Sequence, residues 1–214
     1  MHMKALLYKE FRLVVHPMFY LVPLFSVLLL IPQWVFFIAL MYFCFTSAPN
    51  LFTLSRTYKD VYFSATLPVR RKDIVKARVL TLVALEALQL LVAAVCVWIR
   101  LNFMKTPNWF MDPNVAFLGL SFVMFGVFNV VMLPMFYKTA YKVALPVILA
   151  MLAALLFAAA VELGIVYVPF TRVLDGMKTT PAHIIALLAG MGIFAGLNVI
   201  AYRASAARFE KIDL

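Results

Sequence analysis

Charge is scarce in this sequence. Asp, Glu, Lys and Arg make up 13% of it, about half the share found in soluble domains. A hydrophobic content of 66% over 214 residues cannot be hidden in one soluble core, so lipid is the expected solvent. Cysteine is nearly absent: Cys44 and Cys96 lie inside apolar runs, which excludes a disulfide framework or a zinc pattern and leaves two reduced, small hydrophobes. No GxxxxGK[ST] loop occurs, so the chain has no nucleotide-binding loop of its own. There is no HExxH and no paired-glutamate helix of the kind intramembrane proteolysis needs. His2, His16 and His183 stand at the edges of apolar runs with no nucleophile to serve. Catalysis, metal binding and a resident cofactor are therefore not expected in this chain. The net charge of +10 does not point to nucleic acid, because the basic residues border apolar runs and form no separate basic domain.

What the sequence has is long hydrophobic runs, and these predict an all-α integral membrane protein. Residues 1–16 are too charged to span. Met3, Leu7, Phe11 and Val14 recur at helical spacing, with Lys9 and Arg12 opposite and Glu10 interrupting the arc, which predicts an interfacial helix on the cytoplasmic leaflet. Residues 17–54 would measure roughly 57 Å as one helix, about twice the hydrocarbon thickness, so a break is required and Pro32-Gln33 supplies it. No small-x-small cleavage site follows the first run, so it is read as a retained span and not a signal peptide. Six spans result, over about 17–31, 34–54, 79–99, 115–136, 143–168 and 182–202, with a charged tail at 203–214.

Charge distribution fixes the orientation. With six spans and both termini inside, fifteen of the 19 Lys and Arg residues are cytoplasmic, and only Arg100, Lys105, Arg172 and Lys178 are external. Fusing the first two spans would leave twelve inside and seven outside. The segments 100–114 and 169–181 are then external, and the basic stretch 56–78 is a cytoplasmic loop.

Few polar residues lie within the spans. Glu86 and Gln89 share one helix face in the third, and Glu162 lies near the external end of the fifth. Either they line a substrate path, or Glu86 bonds a neighbouring span and Glu162 reaches the outer headgroups. Gly192 and Gly196, and Ala150, Ala154 and Ala158, are expected to mark close helix packing. Most of the 20 phenylalanines are expected to face lipid.

Within the basic stretch, Thr66-Leu67-Pro68-Val69-Arg70-Arg71-Lys72-Asp73-Ile74-Val75 resembles the LPVSRKEIV-like signature after the second span of small ABC-2 type permeases. Arg70 stands where that signature has a serine-like residue. LYKEFRL, Leu7 to Leu13, is similar to the family's opening, and six spans in about 200 residues agree over the whole chain.

The resemblance implies an ABC-2 type exporter fold in a bacterial plasma membrane. It implies a dimeric permease, with a second permease copy, powered by two separate ATPase subunits that hold ATP and Mg. Within the family the chain is similar to permeases of phenol-soluble modulin and lantibiotic or bacteriocin transporters, which implies an amphipathic or antimicrobial peptide as cargo. The resemblance also implies a coupling helix over Tyr58 through Ser64, carrying Tyr58, Lys59, Asp60, Tyr62 and Phe63. The strand of chain leading back to the third span would hold Leu67, Pro68, Arg71, Lys72 and Asp73. Tyr62 and Phe63 are the expected anchors on the ATPase, with Lys59 and Asp60 at the rim. The competing reading of the basic cluster is that it lies on anionic headgroups of membrane lipid. A membrane-embedded enzyme acting on lipid or isoprenoid would want acidic, His or Arg residues clustered at one face, and the sequence shows none.

Overall fold

The computed structural model describes residues 3–66, 69–104 and 107–212, and every regular element within them is a helix. Helix α1 (Met3–Lys9) loosens into a π turn over Glu10–Val14, and a 97° bend follows. Pro17 sets the bend by holding His16 in extended backbone. The apolar run beyond it, expected as a helical span over 17–31, is wound as 3₁₀ helix over Pro17–Tyr20 and Val22–Leu30. Each 3₁₀ stretch opens with a proline in its first two residues, which removes a donor from the first turn. Gln33, in the left-handed region at φ 71°, ends the run at the expected break.

The remaining helices are α2 (Phe37–Thr57), α3 (Asp60–Thr66), α4 (Arg71–Ile99, prolonged by a π turn over Arg100–Met104), α5 (Val115–Phe136), α6 (Ala144–Tyr167) and α7 (Pro181–Phe209). Five of these, all but α3, are long and apolar enough to cross a membrane, and the bent pair at the N-terminus raises the number to as many as six.

Two boundaries differ from expectation. The stretch 56–78 is mostly helix: α4 begins at Arg71, near the restart around Val69 that Pro68 predicts by breaking a helix, and well ahead of the apolar edge of the span at Val79. Ile74, Val75 and Ala77 are buried on one side of this first part of α4, Lys76 is exposed on the other, and Asp73 in the first turn suits the positive end of the helix dipole. Similarly α7 runs on to Phe209, through most of the expected tail. Arg71 holds the chain where it leaves this helix: its guanidinium donates to the carbonyls of Phe209 (3.3 Å), Glu210 (3.4 Å) and Ile212, at and just past the helix end.

Most phenylalanines pack inside the bundle and do not face lipid. Phe37, Phe43 and Phe52 of α2 meet Phe117, Phe125 and Phe136 of α5, with ring centroids 4.8, 5.8 and 4.7 Å apart. Such pairs are worth about 0.5–1.5 kcal/mol each beyond their burial. The closest approach is between α5 and α7, where a Cβ on Gly190 would lie 2.1 Å from the Gly119 carbonyl oxygen. The Gly192 and Gly196 pair does not pack within the chain: a Cβ on either meets nothing within 4 Å. The reason is register. The buried stripe of α7 runs through Gly190, Phe194, Asn198, Ala201, Ser205 and Phe209, and a residue two places along points the other way. Ala150, Ala154 and Ala158 are buried as expected.

Helix α4 is the mast to which the start of the chain is tied. Arg78 pairs with Glu10, Gln89 Nε2 donates to Ser26 Oγ (2.9 Å), and Arg100 donates to the carbonyls of Leu29 (3.1 Å) and Leu30 (3.3 Å). The last bond satisfies acceptors at the end of the 3₁₀ run, and Arg100 also lies over the Phe36 ring, 4.8 Å from its centroid.

Candidate functional site

Helix α3 forms two residues later than expected, because Tyr58 closes α2 and Lys59 turns the chain at φ 51°. The helix is amphipathic. Val61 and Ser64 are buried, while Tyr62 and Phe63 are 42% and 61% exposed and Tyr58 is 72% exposed. Two neighbouring aromatic rings thus stand in the open on a short helix. Leu67 and Pro68 lie outside the described residues. Arg71, Lys72 and Asp73 form the first turn of α4, and Arg71 serves the end of α7 as described.

Asp60 pins α3 to the bundle through a compact ion network. Arg78 Nε lies 2.6 Å from Glu10 Oε2 and Arg78 Nη2 lies 2.6 Å from Asp60 Oδ2. Lys9 Nζ donates to Asp60 Oδ1 (2.7 Å) and Ser64 Oγ (2.6 Å), and Arg78 Nη2 to Ser55 Oγ (3.2 Å). Two cations and two carboxylates cancel, which is what permits Arg78 and Glu10 to be almost wholly buried. The network ties α1, α2, α3 and α4 into one unit. It is roofed by rings: Arg78 lies 5.7 Å from the Phe52 centroid, and Phe136, Tyr137 and Phe209 continue the stack. Burial pushes the Tyr137 hydroxyl well above its ordinary value, with the Arg78 cation pulling the other way.

Sequence reasoning gave Glu10 only as an interruption of an apolar arc. Its true partner stands sixty-eight positions later, and no periodicity reports such a pair. The available signal was an acid and a base each breaking an otherwise apolar helix face. The buried face of α1 and its π turn is Leu6, Glu10 and Val14, at i, i+4 and i+8.

The three polar residues expected within the spans are not brought together. Glu86 is buried between α4, α5 and α7, where Asn129 Nδ2 donates to Glu86 Oε2 (2.9 Å) and to Asn198 Oδ1 (3.0 Å). Gln89 turns to Ser26 on the 3₁₀ run. Glu162 is buried and accepts from the Met111 backbone N–H at 2.9 Å. That bond belongs to a knot of loops at the end of the bundle away from α3. There Asp112 accepts from the Asn108 N–H, Asp175 from the Asp112 N–H, and Asn114 donates to the carbonyls of Leu174 and Gly176. Burial raises the Asp112 pKa and nearby Asp175 adds to it, while the Asn108 N–H and Arg100 oppose the rise.

The Glu86 contact yields a direct expectation. Glu86→Leu leaves the Asn129 amide with Asn198 as acceptor for only one of its two protons and should cost about 1–3 kcal/mol, whereas Glu86→Gln keeps an acceptor oxygen and should be milder. Thermal unfolding of the two variants in detergent measures the difference, and equal midpoints would remove the structural role.

Apolar helices of spanning length, a charged end closed by a neutral ion network and a short helix offering bare aromatic rings define a multi-pass membrane protein. The family model described as ABC-2 family transporter protein matches residues 5–210, and the chain belongs to that family. It is a transporter membrane component, and permeases of this family generally pair with an ABC ATPase. A search of the curated proteins and a search of the solved structures found no match.

Proposed function

We propose that the chain is the permease of an ATP-driven exporter of amphipathic or antimicrobial peptides in a bacterial plasma membrane, working as a dimer with two ATPase subunits. ATP and Mg belong to those subunits. Both termini are cytoplasmic, and the first apolar run makes a sixth span: at about 2.0 Å per residue, 3₁₀ winding carries Pro17–Leu30 about 28 Å, close to the hydrocarbon thickness. The peptide class rests on the signature in the 66–75 stretch and on the family's small permeases. It is supported by a polar stripe on α2, where Tyr42, Thr46, Asn50, Thr53 and Thr57 follow helical spacing and are only partly covered. In a spanning helix, such a stripe calls for a wet path or a second copy, and an amphipathic chain crossing a dimer would meet it.

The observation that carries the coupling role is α3, a short helix that presents Tyr62 and Phe63 outward while Asp60 is locked to Arg78 and Lys9. Force applied to its aromatic face reaches α1, α2 and α4 without passing through a flexible loop. Docking by these rings predicts that Phe63→Ala weakens retention of the ATPase by tenfold or more, the effect of losing a hot-spot aromatic worth about 2 kcal/mol. Lys72→Gln/Lys76→Gln should change it little, since rim charges are worth little each. Co-purification of the ATPase with each variant at low and high salt tests this. Full retention by Phe63→Ala, or loss confined to the lysine variant and abolished by salt, would replace docking with headgroup binding.

A further inference from the structure

Beside the ion network, and meeting it at Ser55, lies a cavity of about 560 Å3 between the end of α2, the start of α3 and the α5–α6 turn. Its wall carries two cations, Arg56 and Lys59, together with the hydroxyls of Thr53, Thr57 and Tyr141. No carboxylate lines it among the described residues. The nearest, Asp60, is already held by Lys9 and Arg78. Arg56 is held over the Tyr141 ring, 4.2 Å from its centroid, and donates to the Tyr141 hydroxyl at 2.9 Å, contacts that aim the guanidinium without neutralising it. The cavity is therefore a preset, uncompensated positive site.

A second observation falls on the same walls. Among the described residues, three that are not glycine have a left-handed backbone, and two of them, Lys59 (φ 51°) and Ala140 (φ 54°), line this cavity. Lys59 directly follows the C-cap of α2, the position where glycine fits without strain, and Ala140 lies in the turn between α5 and α6. Lysine at such a stop keeps a charged side chain where the backbone alone would favour none. Strained backbone held in place by its surroundings collects at binding sites.

Depth selects the ligand. Phe37–Thr57 is about 31 Å long, the thickness of the hydrocarbon layer, so its last turn lies among headgroups. Tyr141 sits in the turn between the ends of two further spanning helices, with Lys138 and Lys142 beside it in the chain. We infer that this cavity binds the phosphodiester headgroup of an anionic lipid of the cytoplasmic leaflet, with Arg56 and Lys59 as the charge partners and the Thr53 and Tyr141 hydroxyls as further donors, that of Thr57 being spent on the Thr53 carbonyl. The inference rests on the membrane orientation given above; the cavity shares Lys59 and Tyr62 with the docking face of α3 and Thr53 and Thr57 with the polar stripe of α2, so lipid retention is read on the permease alone, without ATPase or peptide.

Native mass spectrometry of the full chain released from detergent, titrated with phosphatidylglycerol or phosphatidylcholine, reads the site directly. Phosphatidylglycerol should be retained preferentially. Arg56→Gln/Lys59→Gln should weaken that retention by about fivefold per charge removed, roughly 25-fold in all. Lys76→Gln/Arg203→Gln, which removes two exposed charges elsewhere, should leave it intact. Lys59→Gly separates binding from folding, because it should raise the thermal midpoint by relieving the backbone while lowering lipid retention. Equal loss in both double variants, or no preference over phosphatidylcholine, overturns the site. Inorganic phosphate that displaces the lipid, with the same dependence on Arg56, would reassign it to free phosphate. Loss of ATPase co-purification with lipid retention unchanged would reassign it to an acidic side chain of that partner. Either result overturns the lipid reading while leaving the permease assignment standing.

Discussion

Arg78→Met should unfasten the coupling end of the bundle. Methionine fills much of the space but leaves two carboxylates, the nearly wholly buried Glu10 and Asp60, to share the single cation Lys9, 3.3 Å from one and 2.7 Å from the other. Removing one member of a buried charge network typically costs about 3–5 kcal/mol, because the charge it balanced stays desolvated and uncompensated. For a chain of this length that corresponds to a fall of roughly 10 °C in thermal midpoint. Coupling should suffer as well, since α3 would keep its exposed rings but lose its tie to α4. The measurement is paired: thermal unfolding in detergent, and peptide-stimulated ATPase activity of the reconstituted complex. Arg78→Met/Glu10→Gln removes the stranded carboxylate and should recover part of the midpoint, a non-additivity expected of groups in direct contact. If the single variant unfolds at the wild-type temperature and remains coupled, the network has no mechanical role.

The second large effect is expected at the crossing of α5 and α7. Gly190→Val places a branched side chain where even one carbon would meet the Gly119 carbonyl oxygen at 2.1 Å. Those contacts are backbone, so nothing can swing aside and the helices must separate. Overpacking of this kind costs about 1–3 kcal/mol and more where the obstacle is rigid. Separation would also stretch the Glu86–Asn129–Asn198 chain, which joins these two helices to each other and to α4. Gly119→Val should behave alike, its Cβ lying 2.4 Å from the Ala186 carbonyl oxygen. Gly192→Ala and Gly196→Ala are the controls: with nothing within 4 Å of either added carbon, the protomer should unfold at the wild-type temperature. If those controls destabilise the protomer and Gly190→Val does not, the helix register is wrong.

The contrast between the two glycine pairs shows what the sequence could and could not convey. Hydropathy was enough for the five helices of spanning length and for the Pro32-Gln33 break, because lipid imposes a length that composition records directly. A GxxxG at 192 and 196 is visible in one dimension, but which face a helix turns inward depends on its neighbours. The buried face passes instead through Gly190, Phe194 and Asn198. For α4 two signals disagreed. Pro68 puts a helix restart near Val69, within two residues of where α4 begins, while the charges Arg71, Lys72, Lys76 and Arg78 held the expected membrane span back to Val79. Arg78 is not a headgroup cation at all, and Arg71 is tied to the end of α7. In both cases a basic residue finds its acceptor far along the chain, at Glu10 and at the end of α7. The family resemblance predicts a short helix where α3 lies, and Tyr62 and Phe63 stand out as neighbouring aromatics within it. Its anchor was not legible, since it involves Lys9 and Arg78, from opposite sides in sequence.

The three ties between α4 and the first thirty residues also set an order of events during synthesis. Glu10, Ser26 and the carbonyls of Leu29 and Leu30 find their partners at Arg78, Gln89 and Arg100. When the first apolar run leaves the ribosome, none of those partners has been made. At about 5–20 residues per second the wait is on the order of 4–14 seconds. Through that interval a buried glutamate and the unsatisfied end of a 3₁₀ helix have neither protein nor hydrocarbon to settle in. The opening of the chain is thus committed to water or to the insertion machinery until α4 arrives. Truncations that end before Arg100 should leave the N-terminal segment open to protease, while those that extend past Met104 should protect it.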